Sequence, residues 1–474
     1  MNRNISMRCS LAVLATAILL GGCSFAPEYR RPSLPVPASL PADAHPPQLG
    51  DDNKTPLAEV GWQAFFTDQR LRGAIDLALR NNRDLRVAVA NVAAARASYR
   101  VQRSDLLPTV SADGSGAMQR VTRDQAALYG GDRTPESWSA SIGASWEIDL
   151  FGRIRNLSKA ALEQYFSTDE ARKAAQIALV GEVANAWLTL GADTERLDVA
   201  SQSRDAFERT LGLTRARHER GYASALDVRQ AQTSFEQARS TVAQLRTAVA
   251  QDRNALALLM GISPDDGMLP IRLGEASYTI DQLPPNLSSE VLVGRPDVLA
   301  AEHQLIAANA NIGAARAAFF PRISLTGAVG TMAPGLSHLF ESGSDTWNFS
   351  PAATLPIFNY GRNSANLAAT KAQRDAAVAS YEKAVQSAFR EAADALARRS
   401  TIAEQLDAQQ SLERASAESY QLAEARYRRG LDPFLSTLDA QRALLAAQQS
   451  LIDARLAKQS NLVDLYRVFG GGLR

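Results

Sequence analysis

The stretch "WSASIGASWEID" at 138–149 alternates apolar residues with small or acidic ones. Its apolar set is Trp138, Ala140, Ile142, Ala144, Trp146 and Ile148. A period of two predicts a β-strand with one apolar face, and aromatic residues near both ends are typical of strands that cross a membrane. A soluble, half-buried sheet would give the same alternation and is the alternative.

Three further segments are predicted as strands, and the alternation is weak in one of them, "PTVSADGSGAMQ" (108–119). "TWNFSPAATLPI" at 346–357 places Trp347 and Phe349 on its apolar side, and partner strands are predicted to start at Pro108 and Pro321. Four strands cannot close a membrane barrel, because an open edge in lipid leaves backbone N–H and C=O groups unpaired. The sequence therefore predicts an oligomer if the strands span a membrane, and strand counting allows two, three or four copies.

The strands belong to an internal repeat. "RNNRDLRVAVANVAAARASYRVQRSDLLPTVS" (80–111) matches "VGRPDVLAAEHQLIAANANIGAARAAFFPRISL" (293–325) at an offset of 213, with Asp84 on Asp297. Beyond the prolines the offset becomes 209, as in Trp138 on Trp347 and Arg217 on Arg426. The sequence therefore predicts two halves that share one architecture. The predicted segments are a signal peptide at 1–22, a leader at 23–60, and, for the first repeat, a first helix at 61–106, a β-hairpin at 107–150 and long helices at 151–260. A linker at 261–292 precedes the second repeat, with a first helix at 293–319, a β-hairpin at 320–358 and long helices at 359–470.

Long proline-free stretches predict the helices. Within 231–260, apolar residues recur in steps of three and four, which indicates coiled-coil packing, and Asp252 interrupts this stripe. The run from Leu157 to Arg220 would measure about 95 Å as one helix at 1.5 Å per residue. Three glycines could divide it: Gly181, Gly191 and Gly212. A long soluble bundle and a tube wall are both compatible with these patterns.

Each half has one predicted helical reversal, near 221 and near 430. In "ARYRRGLDPFLSTLDAQR", Gly430 is the expected helix stop and Asp432 the expected cap of the next helix. In "ARHERGYASALDVRQAQ", Gly221 is the stop, and Ser224 with Asp227 forms a capping box. Both tips are flanked by arginines, which favours a docking site over a simple connection.

The N-terminus predicts export. Arg3 and Arg8 precede a ten-residue apolar run from Leu11 to Leu20, which is too short to span a bilayer. "LGGC" then resembles the lipobox of bacterial lipoproteins, so we expect Cys23 to carry N-acyl and S-diacylglycerol groups. A plain signal peptide is the alternative. The Pro- and Ala-rich residues 24–60 predict an extended, poorly ordered leader.

Composition excludes several function classes. Without residues 1–22 the charge is 51 − 2 = 49 basic against 50 acidic residues, a net −1, which argues against a nucleic-acid partner. Removal of Cys9 leaves Cys23 alone, so neither a disulfide within the chain nor a cysteine-based metal site is expected. The four histidines have no metal-ligand spacing, and no catalytic signature stands out. We therefore expect no cofactor, no metal and no enzymatic activity.

The lipobox, the duplicated halves and three motifs together resemble the TolC-like outer membrane factors, with the OprM-like lipoprotein channels of resistance–nodulation–division multidrug pumps as the nearest group. The motifs are "DLFGR" (149–153), "GRPDV" (294–298) and "RYRRGLDPFLSTLDAQR" (426–442). The resemblance implies an α+β membrane protein: a homotrimer whose twelve-stranded transmembrane β-barrel, four strands per chain, continues into a long periplasmic α-helical barrel. It implies a periplasmic adaptor (membrane fusion) protein and an inner-membrane transporter as partners, in the outer membrane of a Gram-negative bacterium.

The resemblance also assigns roles to residues of this chain. Leu435, Asp439 and Arg442 share one helix face by spacing, and the family places such residues at the periplasmic constriction. The remaining assignments are a hairpin latch, tips that contact the adaptor, and aromatics at the membrane interface. They fall on Asp227 and Tyr427 for the latch, on Arg220, Gly221, Tyr222, Arg429, Gly430 and Leu431 for the tips, and on Trp138, Trp146, Trp347 and Phe349 for the interface.

The expected function is a passive exit duct for multidrug efflux that opens when it docks an adaptor and a pump. Two alternatives stay open. One is the outer membrane channel of a type I protein-secretion system, and the other is a lipid-anchored coiled-coil structural protein without a pore.

Overall fold

The computed structural model describes residues 24–40, 60–130, 132–274, 278–280 and 289–471. This part of the chain contains seven helices longer than ten residues and four antiparallel strands. The helices are α1 Gln69–Asn81, α2 Arg83–Ser104, α3 Arg153–Glu219, α4 Ala225–Met260, α5 Pro296–Ala317, α6 Arg362–Arg428 and α7 Phe434–Val468. The strands are β1 Thr109–Met118, β2 Glu136–Ile148, β3 Arg322–Ala333 and β4 Asp345–Thr354. This composition confirms the predicted α+β class.

The four strands form one sheet in the order β1-β2-β3-β4. Directly opposed residues lie on the same face, so the register shows which side chains share a face. Ile142 lies opposite both Ala112 and Val329, and Val329 lies opposite Trp347, which collects the apolar residues on one face. Ser141, opposite Asp113, belongs to the other, polar face. The alternation predicted from the sequence is therefore the alternation of the sheet.

The two halves repeat the same order of elements. Helix α2, strands β1 and β2, and helices α3 and α4 correspond to α5, β3, β4, α6 and α7. Helices α3 and α6 each contain 67 residues, which agrees with a duplication. The seam between the halves in the sheet is the β2–β3 pair, which joins residues about 180 positions apart, whereas β1–β2 and β3–β4 are local hairpins.

Helix α3 runs without a break through Gly181, Gly191 and Gly212, so these glycines do not divide it. Close packing explains the glycine at 191, because a Cβ there would lie 3.2 Å from the Cβ of Pro270 in the linker. In α4, Ala238, Val242 and Leu256 of the predicted stripe are buried. This burial shows that the predicted stripe lies on the packed side of α4.

The chain divides into two compact units. Within the described residues, the first consists of 24–33, Asn91–Thr168 and Ala300–Tyr381 and contains the sheet. The second consists of Leu34–Ala90, Asp169–Leu299 and Glu382–Arg474 and contains both helical tips. Among its fully buried large side chains are Phe66, Trp187, Tyr466 and Phe469.

The "GRPDV" motif has a structural role in the second unit. The Arg295 guanidinium is almost completely buried and donates to the Asp297 carboxylate at 2.7 and 3.0 Å, to the Glu391 carboxylate at 3.0 Å and to the Val468 carbonyl at 3.1 Å. One side chain thus ties the start of α5 to α6 and to the end of α7. Because all three guanidinium nitrogens of Arg295 donate to groups inside the protein, we interpret the motif as one that stabilises the packing of these helices.

The leader differs from its prediction. Residues 24–33 are extended, as expected, but side chains from distant parts of the sequence hold them, as with the Asn309 amide, which donates to the Pro27 carbonyl at 2.7 Å. The predicted poor order is therefore wrong for this part of the leader, while 41–59 lie outside the described residues. None of the helices in the described part of the chain is both long and apolar enough to cross a membrane.

Candidate functional site at the helical tips

The first tip is closed by a left-handed glycine and a capping box. Gly221 has a φ of 79°, and the Tyr222 N–H donates to the Arg217 carbonyl at 2.8 Å, as in a Schellman motif. The Asp227 N–H donates to Ser224 Oγ at 3.1 Å, and the Asp227 carboxylate accepts from the Ser224 N–H and Oγ at 2.8 Å each. The predicted stop and the predicted capping box are confirmed.

The second tip ends α6 in the same way but starts α7 differently. Gly430 has a φ of 76°, and α7 begins at Phe434 with no side-chain cap. The Asp432 carboxylate instead accepts two hydrogen bonds from the Arg426 guanidinium, at 2.7 and 2.9 Å. The prediction that Asp432 caps α7 is wrong, because this bidentate pair holds the carboxylate away from the helix N–H groups. The same pair lowers the pKa of Asp432.

Side chains from all four hairpin helices meet in one apolar core beside the tips, which we call the tip core. Its buried members are Phe207 and Leu211 of α3, Ala231 and Ala238 of α4, Tyr427 of α6, and Phe434 and Leu438 of α7. The Arg217 guanidinium carbon lies 4.5 Å from the Tyr427 ring centroid, and the Phe434 ring lies 5.6 Å from it. A cation–π contact and apolar burial thus hold the two tips together within one chain.

The three residues predicted to form the constriction lie on the exposed face of α7. Leu435 is 49% exposed, and the side chains of Asp439 and Arg442 are 62% and 49% exposed. The Arg442 guanidinium lies 3.9 Å from the Asp439 carboxylate and donates to Ser234 Oγ of α4 at 2.7 Å. A single chain therefore presents a carboxylate that is only loosely paired, and the constriction itself stays a prediction.

The two predicted latch residues occupy different environments. Asp227 belongs to the capping box of α4, where its hydrogen bonds go to Ser224. Tyr427 is buried in the tip core, where its ring faces Arg217. Within the described chain no hydrogen bond joins Asp227 to Tyr427, so the latch between neighbouring hairpins stays a prediction.

The outermost residues of both tips face solvent in the single chain. Tyr222 is 81% exposed, Leu431 is 62% exposed, and Arg220, Arg429 and the two tip glycines are exposed as well. Exposed large apolar side chains beside arginines are typical of surfaces that bind another protein. The tips therefore offer two similar patches, each with one apolar side chain and flanking positive charge.

The aromatic residues predicted for the membrane interface all lie on the apolar face of the sheet, in the first unit. Trp347 and Phe349 are 77% and 61% exposed, and the Trp146 indole N–H donates to the Leu106 carbonyl at 3.0 Å. The Trp138 indole N–H donates to Glu136 at 3.1 Å. An exposed apolar face with aromatics is the surface expected of strands that contact lipid.

Over residues 74–262 and 287–471 the chain matches the family described as outer membrane efflux protein. The chain belongs to this family. It is 47% identical over 465 residues to the antibiotic efflux pump outer membrane protein ArpC of Pseudomonas putida, a match that covers 98% of this chain and 95% of that protein. The toluene efflux pump outer membrane protein TtgC of P. putida matches with the same identity and coverage. The solved open state of the MtrE outer membrane channel of Neisseria gonorrhoeae matches with a TM-score of 0.84 at 38% identity, over 95% of this chain and 99% of that one.

Membership confirms the predicted family, the predicted function class and the outer membrane location of this efflux protein. Sequence reasoning missed Phe434 of the tip core and the Arg217 guanidinium that stacks on Tyr427 beside it. The signal for Phe434 was an aromatic residue at the first position of a helix, where the repeat offset of 209 puts Ala225 in the other half. That difference between the halves marks Phe434 as a residue specific to the second tip.

Proposed function

We propose that this efflux protein is the outer membrane exit duct of a tripartite drug-efflux system and that it acts as a passive trimeric channel. The observation that carries the proposal is the four-stranded sheet, which has one apolar, exposed face and one polar face, with β1 and β4 as its edges. Edges with unpaired backbone groups are costly in lipid, so β1 of one copy should pair with β4 of the next. The family resemblance sets the number of copies at three and the number of strands at twelve.

The polar face of the sheet would then line the lumen. Serine and threonine dominate this face, with examples at Ser141, Ser145 and Thr326. Such a surface gives drugs a hydrated path without binding them tightly. The chain supplies the path and a gate, and an inner-membrane resistance–nodulation–division transporter supplies the energy. The compounds carried would include antibiotics and aromatic solvents, as in the names of the relatives.

The adaptor protein would dock at the two tips. The support is the exposure of Tyr222 and Leu431 beside Arg220 and Arg429, which gives an apolar contact flanked by positive charge at each tip. An adaptor surface with an apolar pocket and acidic rim fits this pattern. Docking there would act on the start of α7, where Leu435, Asp439 and Arg442 narrow the periplasmic mouth.

The gate would depend on charge. Three copies of Asp439 facing one lumen repel one another and attract cations, so salt should change the conductance. The Asp439 carboxylate and the Arg442 guanidinium lie 3.9 Å apart on the exposed face of α7, a spacing at which an ion pair contributes little.

The acyl groups on Cys23 would fasten the chain to the inner leaflet of the outer membrane. Cys23 lies outside the described residues, and the proposal rests on the lipobox at 20–23. Because a trimeric barrel already holds the protein in the bilayer, Cys23→Ala with a cleavable signal should still give inserted trimers with partial function. Mass spectrometry of the N-terminal peptide tests the modification, and complete loss of inserted protein would show the anchor to be essential.

Two measurements test the function as a whole. In planar bilayers the purified protein should give discrete openings, whereas a lipoprotein without a pore would give none. In a strain that lacks the gene, complementation should restore antibiotic resistance in the presence of a cognate pump. Restored export of a secreted protein with unchanged drug susceptibility would instead identify a type I secretion duct.

The docking surface has its own test. The double variant Tyr222→Asp with Leu431→Asp should abolish the restored resistance while the bilayer openings persist, since only adaptor contact is lost. Leu128→Asp is the matched control, because Leu128 is equally exposed, at 83%, but lies in the loop between β1 and β2. Resistance equal to that of the control would contradict docking at the tips.

A further inference from the structure

The leader residues 24–31, which we call the strap, bind both halves of the chain within the first unit. Ser24 Oγ donates to Asn156 Oδ1 of α3 at 2.9 Å. The Arg316 guanidinium of α5 donates to the Phe25 carbonyl at 3.0 Å, and the Asn309 amide of α5 donates to the Pro27 carbonyl at 2.7 Å. The strap thus contacts α3 of the first repeat and α5 of the second.

The strap approaches α5 so closely that only a glycine fits beneath it. A Cβ at position 313 would lie 2.7 Å from the Ala26 nitrogen and 2.7 Å from the Asn156 amide nitrogen. A side chain at Gly313 would therefore push the strap out of its seat. The same position touches both repeats, because Asn156 belongs to the first.

An aromatic stack places the strap at the ends of the two seam strands. The Phe25 ring stacks on Phe320 with a centroid distance of 4.6 Å, and Phe320 stacks on Phe151 at 4.9 Å. Phe151 follows the end of β2, and Phe320 precedes the start of β3. Phe25 thus lies where the long-range β2–β3 pairing begins.

The buried carboxylate of Glu302 accepts its hydrogen bonds from the strap. Glu302 of α5 is 6% exposed and accepts bonds from the Arg31 guanidinium at 2.8 Å to each oxygen and from the Tyr29 hydroxyl at 2.8 Å. Burial raises the pKa of Tyr29, so the phenol stays protonated and donates. Within the described residues the hydrogen bonds to this carboxylate come from the strap, and without the strap the desolvated charge would lose these partners.

We infer that the strap staples the two repeats together and that its seating is required for β2 to pair with β3, independently of the lipid. A local hairpin forms between neighbouring segments, but the seam strands must meet across about 180 residues of intervening chain. The strap supplies contacts to both sides of that seam at its helical end. This inference rests on the proposed function only in taking the sheet as part of the membrane barrel.

Engineered cross-links separate seam pairing from hairpin pairing. Ser145 and Thr326 are directly opposed across β2–β3, and Ser115 and Ser139 are opposed across β1–β2 with their hydroxyls 2.8 Å apart. Each pair is replaced by cysteines in the full chain, both with natural Cys23 and with Cys23→Ala, and disulfide formation is measured in outer membranes after mild oxidation. Opposed Cα atoms in antiparallel strands lie within disulfide reach.

The strap is then released with Arg31→Glu, which sets a second negative charge against Glu302. Arg30→Glu is the matched control, because Arg30 is exposed and its ion pair is to Glu28 within the strap. We expect Arg31→Glu to lower the seam cross-link about tenfold while the hairpin cross-link stays unchanged, in both Cys23 backgrounds. Adding Glu302→Gln should restore part of the seam cross-link by removing the repulsion, and Gly313→Val should lower it like Arg31→Glu.

Three results would overturn the inference. Equal seam cross-linking in Arg31→Glu and Arg30→Glu would show that the strap is dispensable. An equal loss of both cross-links would indicate general misfolding, and a loss confined to natural Cys23 would show that the strap serves only the lipid. None of these results depends on channel conductance or drug resistance, so failure of the proposed function would be seen separately.

Discussion

Replacement of Phe434 by alanine should loosen the start of α7. The ring is 3% exposed and packs against Tyr427 in the tip core. Loss of a buried phenylalanine side chain costs about 3–5 kcal/mol. We take the lower end, about 3 kcal/mol, because the tip core lies beside exposed residues and can relax into the space. That cost corresponds to a rise of roughly 100-fold in the population of the locally opened hairpin.

Hydrogen exchange followed by mass spectrometry measures this population. Amides within 434–445 should exchange roughly 100-fold faster in Phe434→Ala than in the parent protein, while those within 453–466 keep their rate. Leu435→Ala is the control, because the Leu435 side chain next to Phe434 is 49% exposed and its loss removes little packing. Unchanged hydrogen-exchange protection of 434–445, or faster exchange along the whole of α7, would refute the conclusion that the tip core stabilises the start of α7.

The remaining predictions concern the gate, the pH dependence and a polar defect. Leu435→Ala with Asp439→Ala should raise single-channel conductance, and an unchanged conductance would count against the constriction. Burial and the nearby carboxylate of Asp193 raise the pKa of Asp252 from 3.8 to about 6. The folded protein therefore binds this proton more tightly than the unfolded chain, so the stabilising contribution is complete below about pH 4 and is lost as the pH rises through 6. Asp252→Asn should flatten the thermal stability between those values, and a melting profile that still falls over that range would assign the effect to another group. The side-chain amide nitrogen and oxygen of Gln441 are buried and have no hydrogen-bond partner among the described residues, so Gln441→Leu should stabilise the fold by about 1–2 kcal/mol. A lower melting temperature would show that the amide is satisfied in the assembled protein.

The strands could be predicted because apolar and polar side chains alternate along β2, β3 and β4. Trp146 and Ile142 fall on the predicted face, and the register adds only which residue opposes which. The glycine stops at 221 and 430 were equally readable, since a left-handed residue after an arginine-rich helix end has few alternatives.

The two wrong predictions share a physical cause, which is a specific side-chain pairing that composition and spacing do not report. Asp432 reads as a cap from its neighbours, but the orientation of Arg426 decides its partner. The leader reads as disordered from its prolines, yet Glu302, about 270 residues away, fixes Arg31. Local patterns report periodicity and turns, and they carry no information about such pairs.

The seat of the strap breaks the symmetry of the duplicated chain. At the offset of 213, Gly313 corresponds to Arg100 and Glu302 corresponds to Val89, both exposed in the first copy. The chain has one N-terminus for its two copies, and only the second copy has the glycine and the acid that receive it. The halves are therefore no longer interchangeable, and a circular permutant that begins at the second repeat would carry its leader away from the only seat that fits it.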